Sequence, residues 1–168
     1  LVVLALTIMT GCGDKRPATG YNIGYNRGYK PDQPIPFDHS LHAGQYKINC
    51  QYCHVNAETT KHASVPSLNI CMNCHLSVAT DKPNIKLIQE KFAKGESIAW
   101  VKVHMLPDHA HFNHKRHVRK GIACQTCHGP VETMKVVEQY SDLSMGWCIN
   151  CHRKPENNAP TNCSTCHY

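Results

Sequence analysis

Apolar positions along this chain fall into three stretches whose length and period carry meaning. The first is Leu1–Met9, an almost unbroken run closed by Thr10-Gly11-Cys12-Gly13. Residues 1–12 are therefore expected to tether the chain to a membrane, either as the end of a transmembrane helix or as a lipoprotein signal with Cys12 as the acylated residue. A helix over residues 1–11 reaches only about 17 Å, roughly half a bilayer core. The second stretch is Asp81–Gly95, where Ile85, Ile88 and Phe92 recur on one face with Leu87 beside it. Pro83 suits a first helical turn and Gly95 a stop, so a helix is predicted. The third is Ile98–Val103 with Trp100, which reads as a short strand or a docking strip. Between anchor and body, residues 13–36 are polar, with Gly20, Gly24, Gly28 and Tyr21, Tyr25, Tyr29 at four-residue intervals and then Pro31, Pro34 and Pro36. This pattern predicts an extended linker.

These stretches leave little to build a core from. The chain has 168 residues and a hydrophobic fraction of 41%, but that fraction includes eleven Cys, and there are only three Phe and two Trp. So small an apolar stock does not fill a body of this length.

The cysteines explain the deficit. Ten of the eleven fall into five copies of C-x-x-C-H: Cys50/Cys53/His54, Cys71/Cys74/His75, Cys124/Cys127/His128, Cys148/Cys151/His152 and Cys163/Cys166/His167. This is the attachment sequence of c-type haem. Two thiols three positions apart reach the two vinyl groups on one porphyrin edge, and the next residue offers its imidazole to the iron. Zinc sites also use C-x-x-C but need no His directly after the second Cys. With 13 His in the chain, five such placements by chance are on the order of one in a million. Five 1,4-spaced disulfides would be strained. Five c-type haems are expected, and their flat apolar faces supply the missing core. The predicted fold is loops and short α-helices wrapped around them, with little or no sheet, in the manner of class III multihaem cytochromes.

A longer repeat surrounds the motifs. Phe37-Asp38-His39-Ser40-Leu41-His42 precedes Cys50, and Phe112-Asn113-His114-Lys115-Arg116-His117 precedes Cys124. Each F-x-H-x-x-H is followed by two C-x-x-C-H motifs. The organisation expected is an anchor (1–12), a linker (13–36), a two-haem module (37–75), a connecting helix and strip (76–111), a second two-haem module (112–152) and a fifth haem (153–168). The paired histidines sit one helical turn apart and suit distal ligation of two different irons. With proximal His54, His75, His128, His152 and His167, the distal candidates are His39, His42, His114 and His117, and His62 as the fifth. His104 and then His109 follow, with Met145 as a fallback whose ligation would raise that haem's potential. Irons ligated by two His have no open position, so an electron-transfer role with no substrate site is expected.

The formal charge is +6. Haem propionates and ferric irons bring the total to roughly +1 oxidised and about −4 reduced, so the basic polypeptide is no argument for nucleic acid. Lys115, Arg116, Arg119 and Lys120 read as propionate partners and solvated surface.

Several segments together resemble a known family. They are Pro34-Ile35-Pro36-Phe37 with His39 and His42-Ala43-Gly44, Ile70 to His75, Val103 to His109 leading to Phe112-Asn113-His114, Cys124 to Pro130, and Ser144 to His152. They look like the pentahaem cytochrome c subunit of alternative complex III, a bacterial quinol-oxidising complex, over about residues 33–168. The stretch Arg153 to Asn162 is shorter than that pattern leads one to expect. The resemblance implies a subunit tethered at the periplasmic face of the inner membrane. It would take electrons from an iron–sulfur subunit and pass them to a monohaem cytochrome c or terminal oxidase, while polytopic subunits handle the quinone. Other readings are a stand-alone envelope carrier or extracellular filament, a multihaem reductase with one open iron, and a direct quinol dehydrogenase. The surplus of His and the uniform C-x-x-C-H motifs weigh against an open iron.

Overall fold

The computed structural model describes residues 26–168. The expected anchor over 1–12, with Cys12, and the linker up to residue 25 lie outside the described residues. Among the described residues there are six short α-helices and no strand. They are α1 (Cys50–Cys53), α2 (Leu68–His75), α3 (Pro83–Ala93), α4 (His114–Arg119), α5 (Gln125–His128) and α6 (Met145–His152). A π-helical turn at Ser40–Gln45 and 3-10 turns at Val131–Thr133, Pro155–Asn157 and Cys163–Thr165 complete the regular structure. None of the described helices is long and apolar enough to cross a membrane.

Local chemistry accounts for where the helices begin and end. Asn49, Asn113 and Ser144 sit at the N-caps of α1, α4 and α6, and their side chains accept from Gln51 N (2.8 Å), Arg116 N (3.3 Å) and Trp147 N (3.1 Å). The predicted helix forms as α3, with Pro83 in its first turn. It ends at Gly95 (φ 67°), where Gly95 N–H donates to Phe92 O and Glu96 N–H to Lys91 O. The same six-to-one and five-to-two closure ends α4 at Gly121 (φ 83°). In both places the left-handed residue is glycine.

The apolar core is small. Ile35, Leu68, Met72 and Ile88 are buried together, with Ile85, Ile98, Trp100 and Cys71 packed around them. It joins α2, α3 and the residue before Pro36. Leu87 and Phe92 lie largely in the open. The apolar stretch at 98–103 is neither helix nor strand. It has no neighbouring strand to pair with, and the Gln33 side chain takes that place. Gln33 Nε2 donates to Val101 O (2.9 Å), and Val101 N–H donates to Gln33 Oε1 (2.9 Å). The stretch docks Ile98 and Trp100 on the chain's own core. Residues 26–36 are likewise held against the body. Gly28 N–H donates to Gln139 O (2.7 Å) and Gln139 N–H to Tyr29 O (2.9 Å), and the Gln139 side chain is fully buried.

Two glycines set close approaches. Gly44, in the π-turn, faces Glu132 O so closely that a Cβ would overlap it. Gly129 (φ 71°) ends α5 with its open side against the Tyr140 ring. Gly129→Ala combines a left-handed backbone with a clash and should destabilise the haem-loaded protein by about 1–3 kcal/mol. Gly121→Ala, which meets open space, should cost less than Gly129→Ala. Thermal unfolding of the two variants checks the order.

Candidate haem-binding site

Each C-x-x-C-H closes one helical turn, so the two thiols three apart share a side. Where the motif stands alone, the turn is pinned by the His N–H donating to the first Cys carbonyl. This occurs at His54 (2.9 Å), His128 (3.0 Å) and His167 (3.0 Å). The ten motif thiols are all free. Burial pushes the Cys127 thiol up to about 11 and raises Cys53, Cys71, Cys124 and Cys148 in the same direction.

The imidazoles that follow are oriented by one device. His54 Nδ1 lies 2.7 Å from Ser64 O, His75 Nδ1 3.0 Å from Val78 O, His152 Nδ1 2.7 Å from Pro160 O and His167 Nδ1 2.7 Å from His109 O. A carbonyl only accepts, so each ring donates through Nδ1 and presents the Nε2 lone pair. This is how metal-binding histidines are held. His128 differs. Its Nδ1 is 3.2 Å from His104 Nε2, with the two rings 4.4 Å apart and near perpendicular. Burial lowers both, His128 to about 3 with His104 adding to the effect, and His104 to about 4. Both rings are therefore neutral at pH 7.

The F-x-H-x-x-H repeat is built twice with one geometry. Phe37 stacks on His42 (4.4 Å, 23°) and meets His39 edge-on (4.7 Å, 79°). Phe112 stacks on His117 (4.4 Å, 29°) and meets His114 edge-on (4.8 Å, 89°). His42 Nδ1 lies 2.8 Å from Asp38 O, and His117 Nδ1 lies 2.8 Å from Asn113 O. His114 Nδ1 lies 3.0 Å from Lys61 O. His39 Nδ1 is buried without a partner, and burial, then the nearby His54 and His42, lower its pKa to about 4. The sequence pattern gave the histidines a role but the two Phe none. Here each Phe ring fixes two imidazoles at once, and its signal was its fixed place in both copies of the repeat. The copies differ in backbone. The second is a plain α-helix (α4) and the first a π-turn, which lets Gly44 approach Glu132.

Three pairs of rings then face one another across the motifs. His42 and His75 have centroids 6.2 Å apart, His114 and His128 6.4 Å, and His117 and His152 6.0 Å. A metal bound to Nε2 at about 2.0 Å on each side sets two imidazole centroids about 6.3 Å apart. These pairs have the spacing that two imidazoles on one iron require, with Nδ1 turned away. Free thiols three apart, neutral imidazoles and paired ring spacings all fit a c-type haem.

The remaining candidates lie elsewhere. His62 is exposed, next to Lys61, whose carbonyl accepts from both His114 N and His114 Nδ1. His104 stands behind His128. His109 stacks on His167 (5.5 Å, 27°) while its carbonyl faces His167 Nδ1 (2.7 Å). Met145 opens α6 and is 72% exposed.

Fold and site together have the make-up that a multihaem c-type cytochrome requires. Residues 110–168 match the family described as cytochrome c7 and related cytochrome c. The chain is also 26% identical, over 161 aligned residues, to the menaquinone reductase, multiheme cytochrome c subunit of Nitratidesulfovibrio vulgaris (strain Hildenborough). That alignment covers 81% of this chain and 77% of the relative.

The Phe rings yield a test. Phe112→Ala leaves His117 without its stacking surface, so a fraction of one haem per chain should become high-spin and open to carbon monoxide. Phe112→Tyr keeps the stack and should stay low-spin. Visible spectra of the two variants, with and without carbon monoxide, check this.

Proposed function

We propose that this chain carries five c-type haems and relays electrons as the cytochrome subunit of a membrane quinone oxidoreductase complex resembling alternative complex III. The observation that carries the relay reading is the three facing imidazole pairs. A pair of protein ligands on one iron leaves no position for substrate, so the haems exchange electrons and do no bond chemistry. The five-haem count rests on the five complete C-x-x-C-H motifs.

The residues divide the work as follows. The ten motif cysteines, Cys50, Cys53, Cys71, Cys74, Cys124, Cys127, Cys148, Cys151, Cys163 and Cys166, would form the thioethers. His54, His75, His128, His152 and His167 would be the proximal ligands. His42, His114 and His117 would be the distal ligands of the second, third and fourth haems, and His39 would serve the first. His62, His104, His109 and Met145 are the candidates for the fifth. When bound, each haem supplies one reversible electron. The protein orients these imidazoles through hydrogen bonds from Nδ1 to backbone carbonyls.

The complex reading is supported by the resemblance over about residues 33–168 and by the relative's printed identity as a subunit of a menaquinone reductase. In an alternative complex III-like assembly the chain would sit at the periplasmic face, tethered by its N-terminus. Electrons would arrive from an iron–sulfur subunit and leave to a monohaem cytochrome c or terminal oxidase. The relative's name favours a second reading, in which electrons flow the other way, toward menaquinone.

The experiment is native purification from mild-detergent membranes with haem staining and mass spectrometry of the stained band. An assembly containing an iron–sulfur subunit and polytopic membrane subunits is the expected result. Oxidation or reduction of a menaquinol analogue by that assembly then fixes the direction. A lone band or a homopolymer would overturn the complex reading in favour of a free carrier or filament.

A further inference from the structure

We infer that the five haem motifs stand in space in the order second, first, third, fourth, fifth, so that the two modules join through the first and third motifs and the second and fifth form the ends. This deepens the relay reading above and rests on it for its meaning, but it is a statement about how this chain places its own residues.

The order is assembled from neighbouring pairs. The second and first motifs are linked by the Ser40–Gln45 turn and the residue before it. His42 faces His75 at 6.2 Å, and His39 stands three residues earlier, at the start of the same turn. Asn73 Nδ2 donates to Tyr52 Oη (3.0 Å), tying the interiors of the two motifs together.

The first motif meets the third across the module boundary. The start of α4 docks on the loop that follows α1: His114 N–H donates to Lys61 O (3.0 Å) and Lys115 N–H to Thr60 O (3.1 Å). The Cys124 thiol lies beside the Cys50 thiol. The turn carrying His42 also rests on the loop leaving the third motif, where Ser40 N–H donates to Met134 O (3.1 Å) and Gly44 abuts Glu132.

The third and fourth motifs are joined by α4 in the way the Ser40–Gln45 turn joins the first two. His114 faces His128 (6.4 Å) and His117 faces His152 (6.0 Å) from one helix. The fifth motif closes on the residues just before α4, where His111 N–H donates to Cys166 O (2.7 Å) and His167 Nδ1 reaches His109 O (2.7 Å). It is tied to the fourth by the short segment between them, where His152 Nδ1 lies 2.7 Å from Pro160 O, three residues before Cys163.

The two copies of the repeat are therefore joined first motif to first motif, not tail to head. Joining them along the sequence would have put the second motif beside the third. In the structure the second motif is at one end, packed on α3 through Cys71 and Met72. The first–third contact becomes the single step through which the two modules exchange electrons, and redox partners work at the second and fifth motifs.

The test is an experimental structure of the haem-loaded chain, alone or in its assembly, read as pairwise iron–iron separations. The shortest should be second–first, first–third, third–fourth and fourth–fifth, with the second and fifth irons each having one close neighbour. A close second–third pair, or any iron with three close neighbours, would overturn the order. In the assembly, partner cofactors should lie nearest the second and fifth irons; a partner cofactor nearest the first, third or fourth would overturn the assignment of the ends. A chain that purifies alone fails the complex reading while the iron order is still read out.

Discussion

The structure depends on one hydrogen bond repeated with small changes: an imidazole Nδ1–H given to a backbone carbonyl. At His42, His54, His75, His114, His117, His152 and His167 it fixes the tautomer and the ring plane, and it leaves Nε2 as a lone pair pointing inward. Burial lowers the pKa of His39 and His104 to about 4 and of His128 to about 3, so these three rings are neutral at pH 7. Five of the seven carbonyls, those of Ser64, Val78, Pro160, His109 and Lys61, belong to loops, and the other two, Asp38 and Asn113, lie one turn before their histidines. Abundant loop and scarce regular structure are in this sense requirements of the site.

The same logic explains the thin core. Five apolar residues are buried among those described, too few to hold a chain of this length. Porphyrin faces have to replace aliphatic packing, and the covalent thioethers fix them in place. Exposed Tyr52, Val55, Val65, Leu76 and Val78 all flank the first two motifs. In a haem-loaded chain such residues have porphyrin to pack on, so their exposure here is no sign of a docking surface. Folding and cofactor loading are one process in such a molecule.

Much of this was legible in the sequence. The motif reported cofactor chemistry, the period at Ile85, Ile88 and Phe92 reported α3, and the doubled F-x-H-x-x-H reported a histidine geometry built twice. What the sequence did not disclose depends on contacts distant along the chain. The stretch 98–103 carries a strand's composition, but pairing requires a neighbour, and only Gln33 is there. The pairing of His114 with His128 rather than with another motif depends on where α4 docks, which Lys61 decides. His104 stands at the Nδ1 side of His128, a relation that no spacing rule contains. The buttressing Phe37 and Phe112 were visible as letters in the repeat, but their stacking geometry needed the fold.

The central claim is that five motifs hold five irons, each closed by protein ligands on both sides. The most direct measurement is haem per polypeptide by the pyridine haemochrome method, with the spin state of the ferric protein recorded on the same sample by electron paramagnetic resonance. The account predicts five haems per chain, all low-spin. Fewer than five, or one whole haem in the high-spin state, would contradict it and point to an open iron and a reaction of its own.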